Sequence, residues 1–187
     1  MSITLLRMPI EECIGKLVSS YLECPYSYYT ESDLHCWLWS WLRDALEHLN
    51  CGGSYSTLGD ETHPSRRSIL LHREYPTKNR YHRPSLRKDV KKGSRGHFDL
   101  AIWDPSEIAQ RLFRSARPKD IQREQKTAVA VELALFEGNA PVDTALNHLL
   151  WDRLKLTDAK NEVRNGYLLF FTRDWAYLDT FKQALRP

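Results

Sequence analysis

The stretch Thr127 to Leu135, Thr-Ala-Val-Ala-Val-Glu-Leu-Ala-Leu, constrains this chain more than any other. With period two, Thr127, Val129, Val131, Leu133 and Leu135 form one face, and Ala128, Ala130, Glu132 and Ala134 form the other. A continuous apolar run rich in valine is the pattern of a fully buried central strand. A carboxylate in the middle of such a strand is costly unless it is paired, protonated or holding a cation. The alanines beside Glu132 leave room for any of the three, so Glu132 is the first candidate functional residue.

Other elements arrange themselves around that strand. Ile10, Ile14, Leu17 and Val18 mark a short amphipathic helix from about Ile10 to Leu22, ended by Cys24-Pro25. Thr30 with Asp33 three residues on has capping-box spacing. The helix behind it carries Leu34, Trp37, Leu38, Trp41, Leu42, Ala45, Leu46 and Leu49 at three- and four-residue steps, the mark of a helix with one buried face. Glu31 lies in its first turn, on the side of Leu34 and Leu38. It reads either as a carboxylate favoured by the helix dipole or as one pointing into the space that holds Glu132.

Ser68 to Glu74 reads as an edge strand closed by Pro76, and His97 to Trp103 as a strand with Phe98, Leu100 and Ile102 on one face and His97, Asp99 and Ala101 on the other. Residues 106–125 read as a helix or ordered excursion. Asn139 or Ala140 caps a helix with Pro141 in its first turn, and Val142, Leu146, Leu149, Leu150 and Leu154 supply its stripe. Asn165-Gly166 reads as a turn before a buried strand from Tyr167 to Thr172, and Trp175 to Leu185 reads as a covering helix. The order helix, strand, strand, strand, helix, strand, helix points to a single α/β domain with helices around a small mixed sheet.

Charge is unevenly placed. Between Arg66 and Arg95 eleven Lys/Arg face only Glu74 and Asp89, giving +9 in a chain whose total is +3. That segment, with a flexible basic loop expected over 76–96, suits a polyanionic partner on an otherwise acidic body. Arg87, Lys88, Lys91, Lys92 and Arg95 are its candidate nucleic-acid contacts. Arg111, Arg114, Arg117, Lys119, Arg123 and Lys126 form a second basic group able to line the other side of a duplex. No apolar run approaches the ~20 residues of a membrane span, and Met1 to Pro9 lacks the pattern of a signal peptide. Cys13, Cys24, Cys36 and Cys51 make no metal-like spacing. These features lead us to expect a cytoplasmic protein with free thiols, the alternative being one or two disulfides.

Two acids on consecutive strands, both among small side chains, repel unless a cation lies between them. Clustered carboxylates hold Mg²⁺ (or Mn²⁺), which activates water and steadies a phosphoryl transition state. With a basic segment directly before Asp99, hydrolysis of a phosphodiester is the chemistry that fits.

Thr30-Glu31-Ser32-Asp33-Leu34, Gly96-His97-Phe98-Asp99-Leu100-Ala101-Ile102 and Val131-Glu132-Leu133-Ala134 together resemble the PD-(D/E)xK nuclease superfamily, over roughly Thr30 to Thr172. The resemblance implies a restriction-endonuclease-like three-layer core, a mixed β-sheet flanked by helices. It also implies a Mg²⁺-dependent nuclease acting on DNA, in which Asp99 and Glu132 bind the metal and Glu31 completes or orients the site. Many enzymes of this fold act as homodimers. The family's lysine, two residues after the Glu, is here Ala134. A lysine displaced to the following helix would be Lys155, in Asp152-Arg153-Leu154-Lys155-Leu156. Its helical phase, off the main apolar stripe and near its edge at best, favours a solvated surface lysine over a site residue. His97 is the second substitute, as base or ligand, beside its reading as a structural histidine. Two other readings stand beside the nuclease: a nuclease-like domain that binds nucleic acid or protein without catalysis, and a structural protein whose acids pair with buried arginines.

Overall fold

A computed structural model describes residues 3–48, 70–81, 94–104, 126–138 and 141–185. The described residues form an α/β structure with four helices and a four-stranded mixed sheet. The elements are α1 (Ile3–Glu23), a 3-10 turn (Pro25–Ser27), α2 (Glu31–His48), β1 (Leu71–Tyr81), β2 (Ser94–Trp103), β3 (Thr127–Phe136), α3 (Val142–Thr157), a second 3-10 turn (Ala159–Asn161), β4 (Val163–Thr172) and α4 (Trp175–Ala184). Sheet order is β1-β2-β3-β4, antiparallel as far as β3 and parallel between β3 and β4. Helix α3 makes the crossover that a parallel pair requires.

The alternation of β3 decides the layers. Val129, Val131 and Leu133 join the cluster built with Leu34, Leu38 and Leu42 of α2 and Leu6, Ile10 and Leu17 of α1. Ala134 and Phe136 face Ala145 and Leu149 of α3 and Tyr177 and Phe181 of α4. β3 is thus covered on both sides, as its unbroken apolar run requires. Leu38 is fully buried between α1 and the sheet. Leu38→Ala is expected to cost about 2–5 kcal/mol, read as a fall in the urea midpoint with unchanged slope.

Several expectations are corrected. Helix α1 begins at Ile3, not Ile10, and continues through Pro9. The buried series Leu6, Ile10, Cys13, Leu17 and Tyr21 runs across the proline, and burial overrides its local cost. The capping box is one-sided: the Asp33 carboxylate accepts from the Tyr29 and Thr30 N–H groups at 2.9 and 2.7 Å, and the Thr30 hydroxyl donates to the same oxygen. Pro76 does not close β1, which continues to Tyr81 with a register irregularity between Pro76 and Arg80. β1 is an edge strand, where a missing N–H is tolerated.

Asn165-Gly166 is not a turn; both residues lie inside β4. The chain turns earlier, at the second 3-10 segment and Glu162, whose φ of 51° is left-handed. Glycine at 166 answers a close approach, since a Cβ there would stand 3.0 Å from that of Leu156. Pro141 takes the N-cap position of α3 rather than its first turn. Of the stripe expected on α3, Leu150 and Leu154 are exposed, and the buried positions are Ala145, Leu149 and Asp152. The excursion expected over 106–125 and most of the basic loop lie outside the described residues. Cys13, Cys24 and Cys36 are free thiols, and no helix among the described residues is long and apolar enough to cross a membrane.

Candidate metal and acid–base centre

The site forms where β2 and β3 part. Their ladder runs from Trp103↔Thr127 to Leu100↔Val131 and stops. One step further along that register, Asp99 would stand opposite Glu132. Beyond the fork, β3 still presents N–H groups toward the departing strand, and such groups must find acceptors. Asp99 supplies one: its Oδ2 accepts from the Leu133 N–H at 2.6 Å. The Leu135 N–H favours the charged form of Glu31. Two acids singled out in the sequence therefore meet at the open end of the sheet.

The first turns of α2 close one side of this fork. Glu31 is the first residue of α2 and His35 follows one turn later, so both point the same way. His35 Nε2 lies 3.8 Å from Glu31 Oε1 and 3.6 Å from Asp99 Oδ2. These three residues each offer one ligand atom, all within 4.8 Å of one another. The side chain of His35 is only 7% exposed, and its Nε2 has no hydrogen-bond partner among the described residues.

The other side is closed by α3. Lys155 Nζ reaches Glu132 Oε1 at 2.8 Å and Asp152 Oδ1 at 2.9 Å, and it donates to the His97 carbonyl at 2.9 Å. The contact with Glu132 is an ion pair between largely buried side chains. With its side chain 12% exposed, Lys155 is not the solvated surface lysine that its apparent phase allowed. His97, the other substitute considered, is exposed and contributes its backbone carbonyl to Lys155.

Burial and charge set the protonation pattern. Burial pushes the Glu132 carboxyl well above its ordinary value, with Asp99 and Asp152 adding to the shift and Lys155 opposing it. Burial would lower the Lys155 pKa, but Glu132 and Asp152 outweigh it and hold the ammonium charged. Burial, then the Asp99 charge, raises Glu31. For Asp99 burial is outweighed by His35, the Leu133 N–H and Lys155, so its carboxyl lies below the usual range. Adjacent carboxyls held at different proton affinities are an arrangement suited to acid–base and cation chemistry.

Glu132, expected as a metal ligand with Asp99, falls outside the grouped ligand atoms and holds Lys155 instead. His35 and Asp152 were missed. The signal for His35 was its place four residues after Glu31, and for Asp152 its place three before Lys155. No buried arginine is paired with Glu31, Asp99 or Glu132 among the described residues; Arg164 pairs Asp104 and Arg173 pairs Glu137. Arg87, Lys88, Lys91 and Lys92 lie outside the described residues, and Arg95 is placed only as backbone of β2. An apolar cavity of about 590 Å³ lies against β4, lined by Tyr21, Tyr26, Phe171 and Trp175 among others, and includes none of the site residues.

No family model, curated protein or solved structure matches the chain.

Proposed function

We propose that the protein is a divalent-cation-dependent nuclease with a restriction-endonuclease-like fold, hydrolysing phosphodiester bonds of DNA. One observation carries the reading. Lys155, on a different element and 23 residues after Glu132, brings an ammonium to within 2.8 Å of that carboxylate, supplying the cation that Ala134 cannot. The strand order and the meeting of Glu31 with Asp99 fit the same reading.

The donor set fits a cation: two carboxylates and an imidazole nitrogen 3.6 and 3.8 Å from them, converging at the fork. Glu31, His35 and Asp99 would hold it. When bound, such an ion acts as a Lewis acid toward a phosphoryl oxygen and makes water a stronger nucleophile. Lys155 stays protonated, so its role is to orient the attacking water and offset charge developing on the phosphate. Glu132, Asp152 and the His97 carbonyl position that ammonium. The basic segments of the sequence would hold the duplex through its phosphates, without reading bases.

Incubation of supercoiled plasmid with protein and Mg²⁺ or Mn²⁺ is expected to give nicked product, and Glu132→Gln is expected to slow it by about 10² or more. Folding should respond in the opposite sense. A carboxyl raised in the folded state subtracts stability as pH climbs from its unfolded value, about 4.3, through the raised one. Glu132→Gln has no such titration, so its stability relative to wild type is expected to rise as pH climbs from about 4 to neutral. Cation binding without cleavage of any nucleic acid would instead support the binding-module reading. Absence of both cation binding and cleavage would remove the proposal.

A further inference from the structure

We infer that His35 is a ligand of the cation site and that its nitrogen tilts the site toward Mn²⁺ and away from Mg²⁺. The inference rests on the proposed cation site and concerns which ion it selects.

The geometry around His35 Nε2 is the starting point. Its separations of 3.6 Å from Asp99 Oδ2 and 3.8 Å from Glu31 Oε1 exceed the ~3.2 Å limit of a hydrogen bond. They lie between the two separations that a shared octahedral ion imposes, so small side-chain rotations would seat one. Two atoms each ~2.1 Å from one cation stand ~3.0 Å apart at a right angle and ~4.2 Å apart when opposed. A buried ring nitrogen left without a hydrogen bond calls for a reason, and convergence on two carboxylates supplies one. His35 is buried along with Leu34 and Leu38 of α2.

Composition of the donor set then decides selectivity. A site of three carboxylates would suit Mg²⁺, a hard ion that prefers oxygen and keeps its waters. Here Glu132, which would be the third carboxylate, faces Lys155 at 2.8 Å, and its place is taken by an imidazole. Exchanging a charged oxygen donor for a neutral nitrogen weakens the hold on Mg²⁺. Ions further along the transition series accept imidazole readily, and Mn²⁺ combines that tolerance with the octahedral oxygen chemistry of Mg²⁺.

The test is electron spin-echo spectroscopy of the Mn²⁺-loaded wild-type protein, with calorimetric titration of Mn²⁺ and Mg²⁺ into wild type, His35→Gln and Asp99→Asn. Imidazole-nitrogen modulation is expected in wild type and absent in His35→Gln. Affinity for Mn²⁺ should exceed that for Mg²⁺ in wild type, and the ratio should fall about tenfold in His35→Gln. Mn²⁺ bound by wild type and lost in Asp99→Asn, but without nitrogen modulation, would overturn His35 as a ligand while leaving the nuclease reading in place. Failure of the folded wild type to bind either ion would overturn both. The spectrum of the wild type decides the matter even if His35→Gln does not fold.

Discussion

Lys155→Met is expected to lower metal-dependent cleavage by about 10²–10³ and to weaken the fold in a way that depends on pH. The side chain keeps its length, so what is removed is the ammonium, together with its contacts to Glu132, Asp152 and the His97 carbonyl. Two carboxylates are then left buried, Glu132 at 1% and Asp152 at 4% side-chain exposure. Breaking a buried pair in this way costs about 3–5 kcal/mol when the remaining charge cannot neutralise. Glu132 can neutralise. Its pKa is already raised by burial, and Lys155 is the influence holding it down, so removing Lys155 raises it further. The folded variant therefore binds a proton that the unfolded chain releases above about pH 4.3, and its stability falls as pH rises through that window. Urea melts should show a large deficit against wild type at pH 8 and a much smaller one at pH 5. A variant that cleaves at wild-type rate would show that Lys155 is a structural ammonium with no part in the reaction.

That prediction turns on a residue the sequence left ambiguous, and the reason is physical. On α3, Leu150 and Leu154 looked like part of the buried stripe, but both are exposed and the buried side is marked by Ala145, Leu149 and Asp152. Rotating the stripe by about one residue carries Lys155 from the edge of the helix to the site. An apolar residue on a helix can stand in solvent at little cost, whereas a buried aspartate announces itself only through its partner. β3 was legible for the converse reason: nine of its ten residues are fully buried, so burial and sequence say the same thing along its whole length. Asp99 and Glu132 were legible because an acid inside such strands has few satisfactory fates. What the sequence could not supply was their division of labour. That follows from the parting of β2 and β3, which gives Asp99 an N–H to accept, and from the reach of α3, which gives Glu132 an ammonium. A ladder that stops leaves no mark in a pattern of period two.

Asp99→Asn and Asp99→Ala should both abolish cleavage, by about 10³ or more, while differing in stability. Asp99 has two duties that the substitutions separate. Its charge helps to hold the cation with Glu31 and His35, and its Oδ2 accepts the Leu133 N–H at 2.6 Å. Asparagine loses the first and keeps the second through its amide oxygen. Its stability should drop at neutral pH, because the folded protein holds the Asp99 carboxyl below its ordinary value. In wild type that contribution is present at neutral pH and fades as pH falls through the depressed folded value, so the two proteins should converge in acid. Alanine also leaves the Leu133 N–H without its acceptor, beside a residue that is 1% exposed, and an unsatisfied buried donor costs a further ~1–3 kcal/mol. The expected order of urea midpoints at neutral pH is wild type, Asp99→Asn, Asp99→Ala. Slowed exchange of the Leu133 amide should be retained in the first two and lost in the third. Cleavage surviving in a folded Asp99→Asn protein would mean that the fork between β2 and β3 is a structural device and that the chemistry, if any, lies elsewhere.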